Sequence, residues 1–171
     1  PRPKLTLASA LPLGYTSEAE VAEFWLKEPM PIDEVAKALH NAAPPGFILH
    51  KAVTNEPRAP KLQNDLKSAQ FTITFKQPHP GLQEAVAEML AAEELPRVRV
   101  RKGKKKPYDL RPLILDATVT PAAEGQSQLL ILHLTAEPSA TGRPDEVLDE
   151  LGIDPLAPHI YRTRLYFQSE T

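Results

Sequence analysis

Residues 70–76, QFTITFK, decide the fold, because apolar and polar side chains alternate there with the period of a β-strand. The phenylalanines and the isoleucine fall on one side of that strand, and the two threonines fall on the other. Successive side chains of a strand point to opposite faces, so the pattern predicts one buried face and one face that water reaches. Burial on one face only is typical of an antiparallel sheet that helices cover on a single side.

The segments after this strand predict a ferredoxin-like unit over residues 62–171. Residues 78–92 place Leu82, Val86 and Met89 on one helical stripe, as an amphipathic helix requires. The other predicted elements are strands at 97–101, 108–120, 128–135 and 159–167 and a short helix at 144–151. Their order is β-α-β-β-β-α-β, which is the ferredoxin-like β-α-β-β-α-β unit with one extra strand.

Residues 1–61 predict a shorter copy of the same unit. Strands are predicted at 3–8, 20–27 and 47–53, and a helix follows Pro31 with Ile32, Val35 and Leu39 at helical spacing. The order β-β-α-β matches the unit if its first strand and helix are missing. We therefore predict an α+β fold of tandem ferredoxin-like halves, with antiparallel sheets and helices on one face, the first half lacking its initial β-α pair. The alternative is a single α+β sheet of less regular order.

The composition bounds the class of protein. The chain has 171 residues, 42% of them hydrophobic and 25% charged, as an ordinary globular protein has. It contains no cysteine, which excludes a disulfide scaffold, a thiol nucleophile and a cysteine-ligated cluster. No stretch approaches the roughly twenty apolar residues of a membrane span. We expect a cytoplasmic protein without a membrane partner.

One stretch, residues 97–106 with the sequence RVRVRKGKKK, concentrates the positive charge. It holds seven of the twenty Lys and Arg residues and leaves thirteen against twenty-two Asp and Glu elsewhere. Its alternation predicts a hairpin strand that buries Val98 and Val100 and exposes the arginines, followed by a lysine-rich turn. Such a hairpin suits a polyanion, above all the phosphates of RNA or DNA. The alternative is a solvated edge strand on which charge prevents edge-to-edge pairing.

These side chains and three further arginines form the predicted nucleic-acid-binding set. The set comprises Arg97, Arg99, Arg101, Lys102, Lys104, Lys105, Lys106, Arg111, Arg162 and Arg164. Two of its members, Arg162 and Arg164, are expected to share one face of the last strand. Candidates for stacking on bases are Tyr15, Tyr108, Tyr161 and Tyr166.

Motifs of catalysis are missing. The five histidines lack the spacing of a metal site, and there is no phosphate-binding loop, dinucleotide fingerprint or nucleophile elbow. Asp109 and Arg111 stand two residues apart and are expected to form a modest ion pair. We predict no catalytic residue, no metal and no cofactor.

Four segments resemble a bacterial family of unknown function that is linked to radical SAM proteins. They are PRPKLTLASALPLGYTSEAE at 1–20, RKGKKKPYDLRPLILD at 101–116, RPDEVLDELGI at 143–153 and HIYRTRLYF at 159–167. Members are fused to, or encoded beside, a cobalamin-binding radical SAM protein, and many lie near ribosomal and RNA-processing genes. The resemblance implies that protein as a partner and RNA as a ligand. It also implies that this chain is truncated at its N-terminus.

Charge pattern and resemblance together predict a non-catalytic RNA-binding module that presents tRNA or rRNA to a radical SAM enzyme. The chain cannot be that enzyme, since it has no cysteine to hold an iron–sulfur cluster. One alternative is a docking module for the radical SAM protein, with charge setting the rate of association. Another is an RNA-processing or RNA-modifying enzyme that uses an isolated histidine or tyrosine.

Overall fold

The computed structural model describes residues 4–55, 60–101, 103–120, 122 and 127–168. In chain order the strands are β1 (Leu5–Leu7), β2 (Thr16–Ser17), β3 (Ala22–Phe24), β4 (Leu66–Thr74), β5 (Pro96–Arg101), β6 (Lys104–Asp109), β7 (Ile114–Thr120), β8 (Leu129–Glu137), β9 (Ala140–Thr141) and β10 (His159–Phe167). The helices are α1 (Ile32–Ala42), α2 (Leu62–Asp65), α3 (Leu82–Ala91) and α4 (Pro144–Glu150), and a 3₁₀ turn spans Arg111–Leu113. These elements form an α+β fold, which confirms the predicted class.

The main sheet has the strand order β2-β10-β4-β8-β7, and β9 pairs with the end of β8. All of these pairs are antiparallel except β2 with β10, which is parallel. The predicted strand at 70–76 is confirmed as the central strand β4. The elements β4, α3, β7, β8, α4 and β10 follow one another in the order β-α-β-β-α-β. In place of the predicted extra strand, the chain forms a separate two-stranded hairpin, β5–β6, between α3 and β7.

The core lies against one face of this sheet. On that face β4 and β8 bury alternate residues that pair across the strands, including Phe71 with Leu132 and Ile73 with Leu130. The helices cover these side chains with the predicted stripe of α3 and with Val147 and Leu148 of α4, all in one cluster. Each such large apolar side chain contributes about 1.5–3 kcal/mol when it leaves water. Helices on one side and alternating strands fix which sheet residues remain open on the other side.

Residues 4–55 are organised differently from the prediction. Strands β1 and β3 pair only with each other, while β2 joins the edge of the main sheet beside β10. The strand predicted at 47–53 is wrong, since those residues form no strand and Phe47, Ile48 and Val53 are exposed. Strand propensity reflects packing against neighbouring strands and a core, so an apolar sequence alone does not make a strand.

The described helices are short. The longest is α1 with eleven residues, and a membrane span needs about twenty apolar ones. Within the described ranges, no helix has the length and apolar character to cross a membrane.

Candidate nucleic-acid interface

The basic stretch forms the two-stranded hairpin β5–β6. Its register places Arg97 opposite Tyr108 and Arg99 opposite Lys106, so these four side chains share one face. Gly103, in the turn, has a φ of +75°, a left-handed conformation that glycine adopts without a steric cost. The predicted hairpin is therefore confirmed.

The faces of the hairpin are the reverse of the prediction. Val98 and Val100 are 59% and 63% exposed, whereas the side chains of Arg97 and Arg99 are only 23% and 35% exposed. The predicted burial of the valines and exposure of these arginines is wrong. The arginines face inward because they form ion pairs with carboxylates of helix α4, which lies against that face.

Helix α4 holds both arginines through three acidic residues on one side. Glu146 accepts two hydrogen bonds from Arg99, Nε to Oε1 at 2.9 Å and Nη2 to Oε2 at 2.6 Å. Arg97 donates to Glu150 at 3.2 Å and to the carboxylate of Asp149. Residues three and four apart on a helix share a face, which explains why all three reach the hairpin. Paired, bidentate contacts of this kind fix orientation as well as charge.

Tyr108 completes this contact. The guanidinium carbon of Arg99 lies 4.6 Å from the centre of its ring, in a cation–π arrangement. Burial, followed by the charge of Glu146, raises the pKa of the Tyr108 hydroxyl. The hydrogen bond to Glu146 is the largest of the effects that raise the pKa of Arg99. At the base of the hairpin, the carboxylates of α4 therefore compensate the charges of both arginines.

The far end of the hairpin is different, because Lys104, Lys105 and Lys106 are all exposed. We call these three residues the lysine tip. Among the described residues, none of the ion pairs involves any of them. Lys102 and the side chain of Arg101, both in the predicted set, lie outside what the structure describes. Within the described part of the hairpin, these three lysines are the positive charges that no ion pair compensates.

Arg111 lies inside the fold. Its guanidinium donates from Nε to the carbonyl of Leu90 and from Nη1 to that of Ile114, both at 3.0 Å. The expected ion pair with Asp109 is not among the contacts, because that carboxylate accepts the backbone N–H groups of Leu95 and Arg111 instead. Together the two side chains connect the hairpin to the end of α3.

Arg162 and Arg164 lie on opposite faces of β10. A bulge between them offsets the register, so Arg162 pairs with Phe71 and Arg164 with the adjacent Gln70. Arg162 is 2% exposed and donates to Oε1 of Glu20 at 2.5 and 3.0 Å. Arg164 is exposed, with its guanidinium 4.8 Å from the centre of the Tyr166 ring. The expected shared face is wrong, because the bulge inserts one residue that sequence spacing does not show.

The face of the main sheet opposite the core carries polar and aromatic side chains, and we call it the open face. By register it comprises Ser68, Gln70, Thr72, Thr74, Asp116, Thr118, Thr120, Leu129, Ile131, His133, Thr135, His159, Tyr161, Arg164 and Tyr166, and the bulge residue Leu115 is exposed beside Asp116. Tyr161 and Tyr166, two of the predicted stacking residues, are therefore on this face and partly exposed. The other two predicted stacking residues lie elsewhere, Tyr108 in the hairpin and Tyr15 before β2. Burial, followed by the charge of Asp145, raises the pKa of the Tyr15 hydroxyl to about 12.

A connected cluster crosses three strands of the open face. The rings of His133 and Tyr166 are 4.8 Å apart, and the Tyr166 hydroxyl donates to Oε1 of Gln70 at 3.0 Å. Nε2 of His133 and Oγ of Ser68 are hydrogen-bonded at 2.7 Å. Sequence reasoning did not select Gln70 or His133. The period-2 pattern of both strands does place them on the polar side, beside the core residues Phe71 and Leu132.

No group of three or more histidine and acidic side chains converges as a metal site within the described ranges. The chemistry available on the open face is thus stacking, hydrogen bonding, the guanidinium of Arg164 and the carboxylate of Asp116. The hairpin adds the three charges of the lysine tip.

Comparison with known proteins gives one result. No curated protein and no solved structure matches the chain. A family profile does match, over residues 1–144, which include the hairpin and five of the six main-sheet strands but stop as α4 begins. The family is described as "uncharacterized protein conserved in bacteria" (DUF2344), and because the match covers most of its length, the chain belongs to this bacterial family.

Proposed function

We propose that this protein is a non-catalytic RNA-binding module that presents tRNA or rRNA to a cobalamin-binding radical SAM protein. The observation that supports RNA binding is the lysine tip, three exposed lysines without an ion pair among the described residues, on a hairpin whose base is held by helix α4. The radical SAM partner rests on the family resemblance of the sequence. Phosphate contacts position a nucleic acid and supply most of its non-specific affinity.

The register of the hairpin adds a physical reason for a bound polyanion. Arg99 stands directly opposite Lys106, and Arg101 opposite Lys104. Like charges in directly opposite positions destabilise a strand pair. The carboxylate of Glu146 relieves this repulsion at Arg99. A phosphate backbone along the tip would relieve it at the remaining positions.

The proposal gives the predicted set two roles. Lys104, Lys105, Lys106 and Arg164 contact phosphates, together with Arg101 and Lys102 beside them. Positioning falls to Arg97, Arg99, Arg111 and Arg162, whose guanidinium groups bind carboxylates or backbone carbonyls of the protein itself. The positioning residues act on RNA only through the shape that they maintain.

Replacing the lysine tip with glutamine tests this function. We expect the triple variant to bind bulk tRNA and rRNA fragments more weakly, and the slope of log affinity against log salt to fall by about two, since each single-strand phosphate contact contributes about 0.7. Fluorescence anisotropy at several salt concentrations measures both. The matched control replaces Lys27, Lys37 and Lys76, three exposed lysines elsewhere, with glutamine. Equal losses in the two triple variants would contradict a specific role for the tip.

A second candidate function, docking on the radical SAM protein, is favoured by the apolar surface of residues 5–53. Large hydrophobic side chains exposed there are Leu5, Leu7, Leu13, Val21, Phe24, Trp25, Leu26, Met30, Phe47, Ile48 and Val53. Leu5 and Phe24 are directly paired across β1 and β3, so part of this surface is continuous. Continuous exposed apolar surface often marks a protein interface.

Charge substitution at that strand pair tests docking. We expect the chain to elute with a co-expressed cobalamin-binding radical SAM protein in size-exclusion chromatography. Leu5→Glu with Phe24→Glu should abolish co-elution, because a carboxylate on each strand blocks close apolar contact. Leu156→Glu, at another exposed leucine, serves as control. Co-elution that survives the double substitution would rule out this surface as the docking site.

The finer fold assignment belongs to the same proposal. Residues 62–171 are taken as a ferredoxin-like half with one extra strand pair, and residues 1–61 as a partial half without its first strand and helix. The β-α-β-β-α-β order and the core on one side of the sheet support the first part. The second part rests on the order of β1, β3 and α1 alone, since residues 47–53 form no strand. An experimental structure in which these three elements do not superpose on a ferredoxin-like half would contradict it.

A further inference from the structure

The open face differs from a protein-docking surface in its composition. Its members on β4 are Ser68, Gln70, Thr72 and Thr74, and the polar side chains exposed on β7 are Asp116, Thr118 and Thr120. Its large aliphatic side chains are the half-buried Leu129 and Ile131 and the bulge residue Leu115, which is 51% exposed. Apolar contact with a protein would therefore find little surface to bury. Rings and hydrogen-bonding groups remain as the features that a ligand meets.

Two separate aromatic positions are available on the open face along β10. At one, the rings of His159 and Tyr161 lie nearly parallel, 22° apart in plane, with their centres separated by 6.3 Å. At the other, Tyr166 packs against His133 and beneath the guanidinium of Arg164. The bulge at residue 163 brings both positions to the same face although their tyrosines are five residues apart. The Tyr161 ring offers a π-surface directly, whereas a base stacks at Tyr166 when the exposed guanidinium of Arg164 moves from the ring to the adjoining phosphate.

The groups around Tyr166 suit a nucleotide. Its own hydroxyl and the side chain of Gln70 are hydrogen-bonded, so the ring is held in one orientation before any ligand binds. The amide of Gln70 retains donor capacity, and His133 has a second ring nitrogen, both of the kind that read the edges of bases. Arg164, exposed beside the ring, supplies a positive charge for the adjoining phosphate.

We infer that the open face is a stacking site for unpaired bases, with Tyr161 and Tyr166 as its two platforms, so that the RNA is bound in a single-stranded segment. This inference rests on the proposed RNA-binding function and names the form of RNA that is recognised. Bases inside a duplex stack on each other and leave no face for a tyrosine, whereas splayed bases of loops and ends stack on aromatic side chains of a sheet.

Removing each ring while keeping an apolar side chain tests the inference. The probes are oligouridylate, oligoadenylate and an RNA duplex of equal length, with binding measured by fluorescence anisotropy on the full chain. We expect the wild type to prefer the single strands. Tyr161→Leu and Tyr166→Leu should each weaken single-strand binding about 5- to 100-fold, as the loss of one base–ring stack does. Binding to the duplex should stay unchanged.

The conservative variants separate stacking from structural damage. Tyr161→Phe and Tyr166→Phe keep the ring and should retain most of the affinity. Trp25→Leu removes an exposed ring outside the open face and should have no effect. Circular dichroism checks that each variant is folded. If a leucine variant unfolds, the tyrosine fluorescence of the Trp25→Leu chain, which has no other tryptophan, replaces it. Oligouridylate should quench that emission, and unchanged emission would contradict stacking on the tyrosines.

The possible results distinguish this inference from the proposed function. If single-strand affinity is unchanged in the leucine variants while the lysine-tip variant still binds weakly, the stacking site is wrong and RNA binding stands. Tighter binding of the duplex than of the single strands would also overturn the stacking site. Wild-type protein that binds no RNA at low salt would overturn both.

Discussion

We expect Glu20→Ala to lower the free energy of unfolding by about 3 kcal/mol, because it leaves the guanidinium of Arg162 buried without its carboxylate. This value is at the low end for a broken buried ion pair, since the Glu20 side chain is 35% exposed and water partly reaches the gap. The remaining acceptor of Arg162 is the carbonyl of Ser9, at 3.0 Å. For a chain of this length the expected fall in Tm is roughly 6–12 °C.

Differential scanning calorimetry measures this fall, with Glu88→Ala as the matched control. Glu88 is an exposed carboxylate on α3, and none of the ion pairs among the described residues includes it. Its loss should change stability by less than about 0.5 kcal/mol. The double variant Glu20→Ala with Arg162→Met should be less destabilised than the sum of the single variants, because no unpaired charge then remains in the core. Equal Tm values for Glu20→Ala and Glu88→Ala would contradict the structural role.

We expect Arg111→Met to destabilise the protein by about 2–4 kcal/mol, less than the sum of two charged hydrogen bonds because Arg111 is only half-buried, and to leave its RNA affinity unchanged. Methionine keeps the length of the side chain but removes both charged donors, and each hydrogen bond to a charged group contributes about 1.5–3 kcal/mol. One of the abandoned carbonyls, that of Leu90, belongs to the last turn of α3, where a cation is also favoured by the helix dipole.

Urea unfolding gives the stability of the Arg111 variant, and anisotropy in buffer alone gives its affinity. Arg143→Met is the control, since that guanidinium is exposed and pairs only with neighbouring Asp145, a surface contact of small worth. Weaker RNA binding by the folded Arg111 variant, at normal stability, would show that Arg111 contacts phosphate directly and that its positioning role is wrong.

Elements with a clear local period were predictable from the sequence. The alternation of residues 70–76 identified the central strand, and the stripe of α3 identified the helix whose Leu82, Val86 and Met89 are buried. Both patterns arise because each side of the element meets a single environment. A local pattern carries no information about which distant segment provides that environment.

The wrong predictions, on the hairpin faces and on the last strand, arise from contacts with segments distant in the sequence. Valines are normally on the buried side of an alternating strand, but α4 reaches the other side of β5 with Glu146, Asp149 and Glu150, about fifty residues later in the chain. Ion pairing then holds Arg97 and Arg99 inward. The bulge in β10 likewise depends on its pairing with β4 and separates two arginines that a regular strand would keep together.

The candidate site was predictable in its residue types more than in its location. The lysine tip and the two tyrosines of the open face were selected on charge and chemistry. His133 and Gln70 were not, since their significance comes from the neighbours that pairing across three strands gives them. Only the assembled sheet shows a ring, an amide and a guanidinium within contact distance.

The parallel pairing of β2 with β10 has a consequence for synthesis on the ribosome. Thr16 and Ser17 find their partners at Tyr161 and Arg162, about 145 residues later. At translation rates of about 5–20 residues per second, the early segment waits roughly 7–30 seconds for the strand that completes it. During this interval Glu20 lacks the guanidinium of Arg162, its partner in the folded protein. The nascent chain therefore reaches its final fold only after β10 has emerged.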